Sequence, residues 1–204
     1  MTYPAGDISD GLSFDPGTSL LMSGEAPPVR ERVLDATAEG LREGETVLLI
    51  TADRSAERIV DALDDRGGVD PARVGIVDVT NDKGATEVEG VQVSQLSSPS
   101  DLTGISLEFA KHLERFESAG QADRVRVGLL SVSTLMMYGE LQTVFRFLHV
   151  FTSRIRSAEL FGLFALHPDM HDDKATNTVR AIFDAEATIT GDGVDLRGTG
   201  YADA

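Results

Sequence analysis

Gly24-Glu25-Ala26-Pro27-Pro28-Val29-Arg30-Glu31 lies between the apolar run Ser19–Ser23 and an amphipathic segment. A strand, a short loop opening on glycine and a helix make the layout of a phosphate-binding loop. Such a loop needs inward-pointing backbone N–H groups, glycines that allow close approach, a lysine for the β/γ-phosphates and a hydroxyl for magnesium. With Gly24 at the first glycine, Val29 stands at the second, Arg30 at the lysine and Glu31 at the hydroxyl. Pro27 and Pro28 have no N–H to give. Val29 is β-branched and resists a tightly curled backbone. Glu25 and Glu31 put negative charge where a triphosphate would lie. Two like charges about 4 Å apart repel by roughly 4 kcal/mol at an effective dielectric near 20. Each lost hydrogen bond to a charged group costs a further ~1.5–3 kcal/mol. These residue types predict a loop that does not hold Mg-ATP, although Arg30 keeps a positive charge for some smaller anion.

Three other stretches carry reactive side chains. In "HPDMHDD", His167 and His171 with Asp169, Asp172 and Asp173 have the donor types of a metal site. The simpler expectation is a solvated loop whose Asp172 or Asp173 caps the next helix. Ser131, Ser133 and Thr134 offer hydroxyls, but no G-x-S-x-G elbow surrounds them and no His–Asp partner can be assigned. Arg154 and Arg156 close a long helical pattern, where cations suit the helix dipole; lending an arginine to a neighbouring subunit is the other use weighed for them. The run from Met136 to Phe151 holds more apolar residues than one helix face needs, so some of it is core and some is a candidate partner surface.

The elements that must position these residues alternate. Ser19–Ser23 and the runs "TVLLIT", "ARVGIVDVT", "RVRVGLLSVS" and "LFGLFAL" are short, largely apolar segments, the signature of strands buried on both faces. Between them lie 3.6-period amphipathic segments, such as Val29–Arg42, where Val29, Val33, Leu34, Ala38 and Leu41 share one face. The tail "EATITGDGVDLRG" predicts a hairpin around Gly191-Asp192-Gly193. Strand and helix in alternation predict βαβ units and a mostly parallel sheet covered on both faces. One domain over residues 18–204 is expected, with residues 1–17, polar and glycine-rich, as a flexible arm.

Composition narrows the function classes. The chain has 204 residues, a net charge of −16 and no cysteine, which removes disulfides, thiolate metal sites and a cysteine nucleophile. The acidic field and the absence of a basic stripe argue against nucleic acid. No apolar run has the length of a membrane span and the first residues lack a signal-peptide pattern, so a cytoplasmic protein off the membrane is expected. Lys83, Lys111 and Lys174 are the only lysines among 18 basic residues. A lysine-poor, carboxylate-rich composition points to a salt-adapted, halophilic source.

The stretch "LLMSGEAPPVRERVLDATAEGLREGETVLLITADRSAERI" resembles the N-terminal half of the KaiC-like branch of the RecA ATPase superfamily. "YGELQTVFRFLHVFTSRIRSAELFGLFALHPDMHDDKATNTVRAIFD" is similar to haloarchaeal, often catalytically degenerate members associated with signalling genes. The resemblance runs from about Ser19 to Ile189. It implies a three-layer RecA-like sheet of the P-loop NTPase type. It places the family's catalytic carboxylate pair on Asp53 and Arg54, and its magnesium-ordering aspartate on Leu130. A leucine cannot order a hydrated magnesium ion. The resemblance therefore implies an archaeal pseudo-ATPase with no catalytic residues and no cofactor, acting as a regulatory or scaffold protein through a protein partner or a homo-oligomer. The rival expectation is a weak nucleotidase using Arg30, Asp53 and Glu31 on ATP and magnesium.

Overall fold

The computed structural model describes residues 2–8, 11–80, 84–191 and 193–203. Its centre is a nine-stranded sheet in the order β11-β10-β3-β9-β8-β4-β5-β7-β6. These strands are β3 (Ser19–Ser23), β4 (Thr46–Thr51), β5 (Val74–Asp78), β6 (Glu87–Val88), β7 (Val91–Gln95), β8 (Val125–Leu129), β9 (Phe161–Leu166), β10 (Ala185–Thr190) and β11 (Gly193–Gly198). The seven from β10 to β7 run parallel, while β11 and β6 close the two ends as antiparallel hairpin partners. The expected layered α/β fold and C-terminal hairpin are both present; Asp192 of the turn lies outside the described residues.

Side chains alternate along each central strand, and both sets are buried. Leu20 and Met22 of β3 and Val47 and Leu49 of β4 enter one core, with helices α1 (Ala26–Arg42) and α2 (Ala56–Asp64). Leu21, Leu48 and Ile50 enter the other, under α3 (Leu102–Ser118), α4 (Val132–Tyr138), α5 (Leu141–Ser157) and α6 (Asp173–Arg180). Two-sided burial explains why these strands read as continuous apolar runs. It also leaves polar chemistry only the strand ends.

The N-terminal residues, expected as an arm, contain two short strands. Tyr3–Pro4 (β1) and Leu12–Phe14 (β2) form a second sheet with Tyr201–Asp203 (β12). Tyr3, Ala5, Ile8 and Phe14 are buried in the α1-side core. Phe14 stacks on Phe161 with ring centroids 4.8 Å apart, and the Tyr3 hydroxyl donates to the Glu159 carbonyl at 3.1 Å. Four well-spaced apolar residues among glycines and aspartates anchor the segment, because each is buried in that core.

Beneath this sheet lies a buried ion pair. Glu45, before β4, and Arg126, on β8, are both fully buried. Arg126 Nε donates to Glu45 Oε2 at 2.8 Å, and its other nitrogens reach the carbonyls of Ala36 on α1 and Pro4 on β1. Arg124 adds a second contact to Glu45. Helix α1 can lie this close because residue 40 is glycine: a Cβ there would sit 2.7 Å from Glu45 Oε2 and 2.8 Å from Arg126 Nε. One guanidinium therefore ties α1, β1, β4 and β8 together.

Removing one partner of such a pair strands a charge in the core. Glu45→Ala is expected to lose about 3–5 kcal/mol of stability, read from the shift of the urea midpoint. The apolar pair Glu45→Leu/Arg126→Met is expected to regain most of that loss.

Candidate functional site

Loops after β3, β4, β8 and β9 meet at the C-terminal edge of the sheet. The chain leaves β3 for β4 and later returns to lay β8 and β9 between them. Open α/β sheets place ligands outside such a reversal of strand order. The site residues expected from sequence, Gly24 to Glu31, Asp53, Arg54, Leu130 and His167, all follow these strands.

The stretch from Gly24 to Glu31 is not a loop. Helix α1 starts at Ala26, so Pro27 and Pro28 form its first turn. A helix start normally presents several free N–H groups to an anion. Here two of those positions are proline, and the Val29 N–H donates to the Glu25 carbonyl at 3.1 Å. Gly24 itself is fully engaged: its N–H donates to Leu166 O at 3.2 Å, and its carbonyl meets His167 Nδ1 at 3.3 Å. Its φ is +148°, and a Cβ would lie 2.6 Å from the Ile189 carbonyl. The glycine is needed for packing against β10, a reason that the motif reading missed.

Arg30 and Asp53, at the lysine and carboxylate positions, meet each other. Arg30 Nη1 donates to Asp53 Oδ2 at 2.6 Å, with side-chain exposures of 11% and 26%. The cation that would meet a phosphate and the carboxylate that would activate water are thus paired together. Val29 and Leu130 are fully buried in the α1-side core, and the Leu130 N–H donates to Ile50 O at 2.9 Å. Arg54 is held through its backbone to the Thr51 hydroxyl. Glu31 points away from the edge, to Arg66, which also binds Asp35 at 2.7 Å. The edge does hold a cleft of about 460 Å³ beside Gly24, Glu25, Pro28, Asp169 and Ile189. Its charged lining residues, Glu25 and Asp169, are both acidic.

His167 is buried, and Ser133 clamps its backbone: Ser133 Oγ accepts from His167 N at 2.9 Å and donates to His167 O at 3.3 Å. Burial holds the His167 imidazole below its ordinary range, against the pull of the Gly24 carbonyl and Asp53. Burial lowers His171 as well, opposed by Asp172. Asp172 caps α6, accepting from the Ala175 N–H at 2.7 Å, which is the capping role expected for it or Asp173. Among the described residues no group of three or more His, Asp or Glu is placed to hold a metal ion. Ser131 caps α4 through the Thr134 N–H at 3.0 Å, so these hydroxyls serve the backbone. Arg156 pairs with Asp184 and Arg154 reaches Ser106 O at 3.5 Å.

One polar constellation escaped the sequence reading. Ser94 on β7 donates to Glu108 Oε2 at 2.8 Å and lies 3.1 Å from His112 Nε2. Ser, His and Glu are nucleophile-site residue types, yet here the carboxylate binds the serine and does not orient the histidine. Only the (i, i+4) spacing of Glu108 and His112 hinted at it. Burial, then the neighbouring Arg115 charge, push His112 down to about 4.

A sequence model of a family of unknown function, DUF7504, matches residues 17–189, and the chain belongs to that family. No curated protein matches it. Matching solved structures number 319 chains, so the fold is common and assigns no activity by itself. One is an uncharacterized protein from Pyrococcus horikoshii, crystallised in complex with an unknown peptide. It has a TM-score of 0.65 and 13% identity, over 89% of this chain and 82% of its own. No helix among the described residues is long and apolar enough to cross a membrane.

The His112 geometry fixes a pH response. Its folded pKa near 4 lies below the ordinary 6.5, so the unfolded chain takes up the proton first as pH falls. Nothing is lost above pH 6.5; between 6.5 and 4 stability declines, by at most about 3 kcal/mol from this group. Urea melts at pH 7.5 and 4.5 should show His112→Gln losing less than the parent over that interval.

Proposed function

We propose that this member of the family is a RecA/KaiC-like scaffold that has lost ATP hydrolysis and works through protein contacts in signalling. The observation that carries the reading is the closure of the strand-edge site on itself. The first helical turn holds two prolines, the arginine is paired with the aspartate, and the expected metal-carboxylate position is a core leucine. A phosphate arriving there finds Arg30 already paired and no ring of N–H donors.

The strand order is compatible with the RecA-type reading, since β8 and β9 return between β3 and β4 and create the reversal of strand order at which open α/β sheets bind ligands. The peptide held by the Pyrococcus horikoshii protein supports contact with polypeptide as the working mode of this architecture. The acidic, lysine-poor surface supports a salt-adapted archaeal cytoplasm as its setting. The rival nucleotidase would need Arg30, Asp53 and Glu31 together; Glu31 is committed to Arg66.

Isothermal titration with Mg-ATP at molar KCl, alongside a phosphate-release assay, tests the reading. The expected result is no binding tighter than about 1 mM and no turnover. Micromolar binding with turnover that Asp53→Ala abolishes would replace the scaffold with an enzyme.

A further inference from the structure

The two ends of the main sheet are unequal. At one end β6 is only two residues long. At the other, β11 has six residues and pairs with β10 on one side only among the described residues. Edge strands expose free N–H and C=O groups that template pairing, and proteins usually blunt them with proline, bulges or like charges. β11 has no proline, and its two charges are opposite in sign: Asp195 and Arg197.

The hydrogen-bond parity of β11 can be read from its last rung. Ala185 pairs with Gly198, and one step further the Thr199 N–H donates to the Asp184 carbonyl at 2.9 Å. In an antiparallel ladder, alternate residues face the partner strand. Thr199, Arg197, Asp195 and Gly193 therefore turn their backbone groups toward β10. Val194, Leu196 and Gly198 turn theirs outward, to the open edge.

We propose that the open edge of β11 pairs antiparallel with the same strand of a second copy, about a two-fold axis at Leu196. Leu196 then exchanges both hydrogen bonds with the partner's Leu196, and Val194 does so with the partner's Gly198. This register sets Asp195 directly opposite the partner's Arg197, and Arg197 opposite the partner's Asp195, in the closely spaced non-hydrogen-bonded position. Within one copy Asp195 and Arg197 already touch at 2.7 Å with side-chain exposures of 55% and 82%. The dimer joins the two pairs into a ring of alternating charge. On the opposite face Val194 and Leu196, half-buried against the core, gain cover from the second copy. The interface is isologous, so one strand supplies both halves of the complementarity. A short edge such as this gives a small, weak interface. The net charge of −16 on each copy opposes association, so it is sought where salt screens that repulsion.

Sedimentation equilibrium of the full chain at about 2 M KCl, from micromolar to near-millimolar protein, reads the association. The expected result is a monomer–dimer equilibrium. Arg197→Asp sets like charges face to face and is expected to weaken it at least tenfold. Adding Asp195→Arg to the same chain restores the opposite-sign pairs and the dimer. Leu196→Pro removes an outward N–H without breaking the β10–β11 ladder, and is expected to give a folded monomer by circular dichroism. A chain that stays monomeric throughout overturns the proposal. So does a dimer indifferent to Arg197→Asp or Leu196→Pro, or a charge-swapped double variant that stays monomeric.

Discussion

Burial of both faces of the five central parallel strands, β3, β9, β8, β4 and β5, is the constraint from which the rest of the molecule follows. Each strand must be apolar in both side-chain sets, so no residue inside the sheet can do chemistry. Helices must cover both faces, which commits their apolar stripes. Charged groups that enter regardless must be matched. The pair Glu45 and Arg126 is the clearest case, satisfied by two carbonyls beyond its own contact. That pair also anchors the N-terminal sheet, through Pro4.

What remains for function is the rim of the sheet. At the C-terminal rim, the polar groups that the sequence pattern singled out serve the fold. Gly24 donates to β9 and packs on β10, Ser133 clamps the backbone of His167, and Arg30 and Asp53 satisfy each other. The result is a closed set of internal bonds, an arrangement that favours stability.

The lateral rims differ in kind. This sheet is open, so its two ends need termination. Here the chain ends both with antiparallel hairpins, one two residues long and one six. The longer one leaves backbone donors and acceptors in water, flanked by a carboxylate and a guanidinium two residues apart. On a surface with excess negative charge, that local balance distinguishes this edge from the rest.

Most of the fold was legible in the chain. The apolar runs at β3, β4, β5, β8 and β9 and the 3.6-period faces of α1, α2, α3 and α5 are local patterns, set by each segment's own burial. The loss of cradle donors was also legible, because proline has no N–H in any context. Three things were not. Residues 2–8 and 11–17 pack through Tyr3, Ala5, Ile8 and Phe14, and the ring partner of Tyr3 and Phe14, Phe161, lies more than a hundred residues away. The Glu45–Arg126 pair and the Ser94–His112–Glu108 cluster join elements whose adjacency only strand order decides. And Arg30 meets Asp53 only because α1 and the end of β4 come together at the sheet edge. Sequence determined which groups were present and which backbone donors were missing. Tertiary structure alone decided which of the remaining charges would face each other, since pairing depends on distance across the sheet and not along the chain.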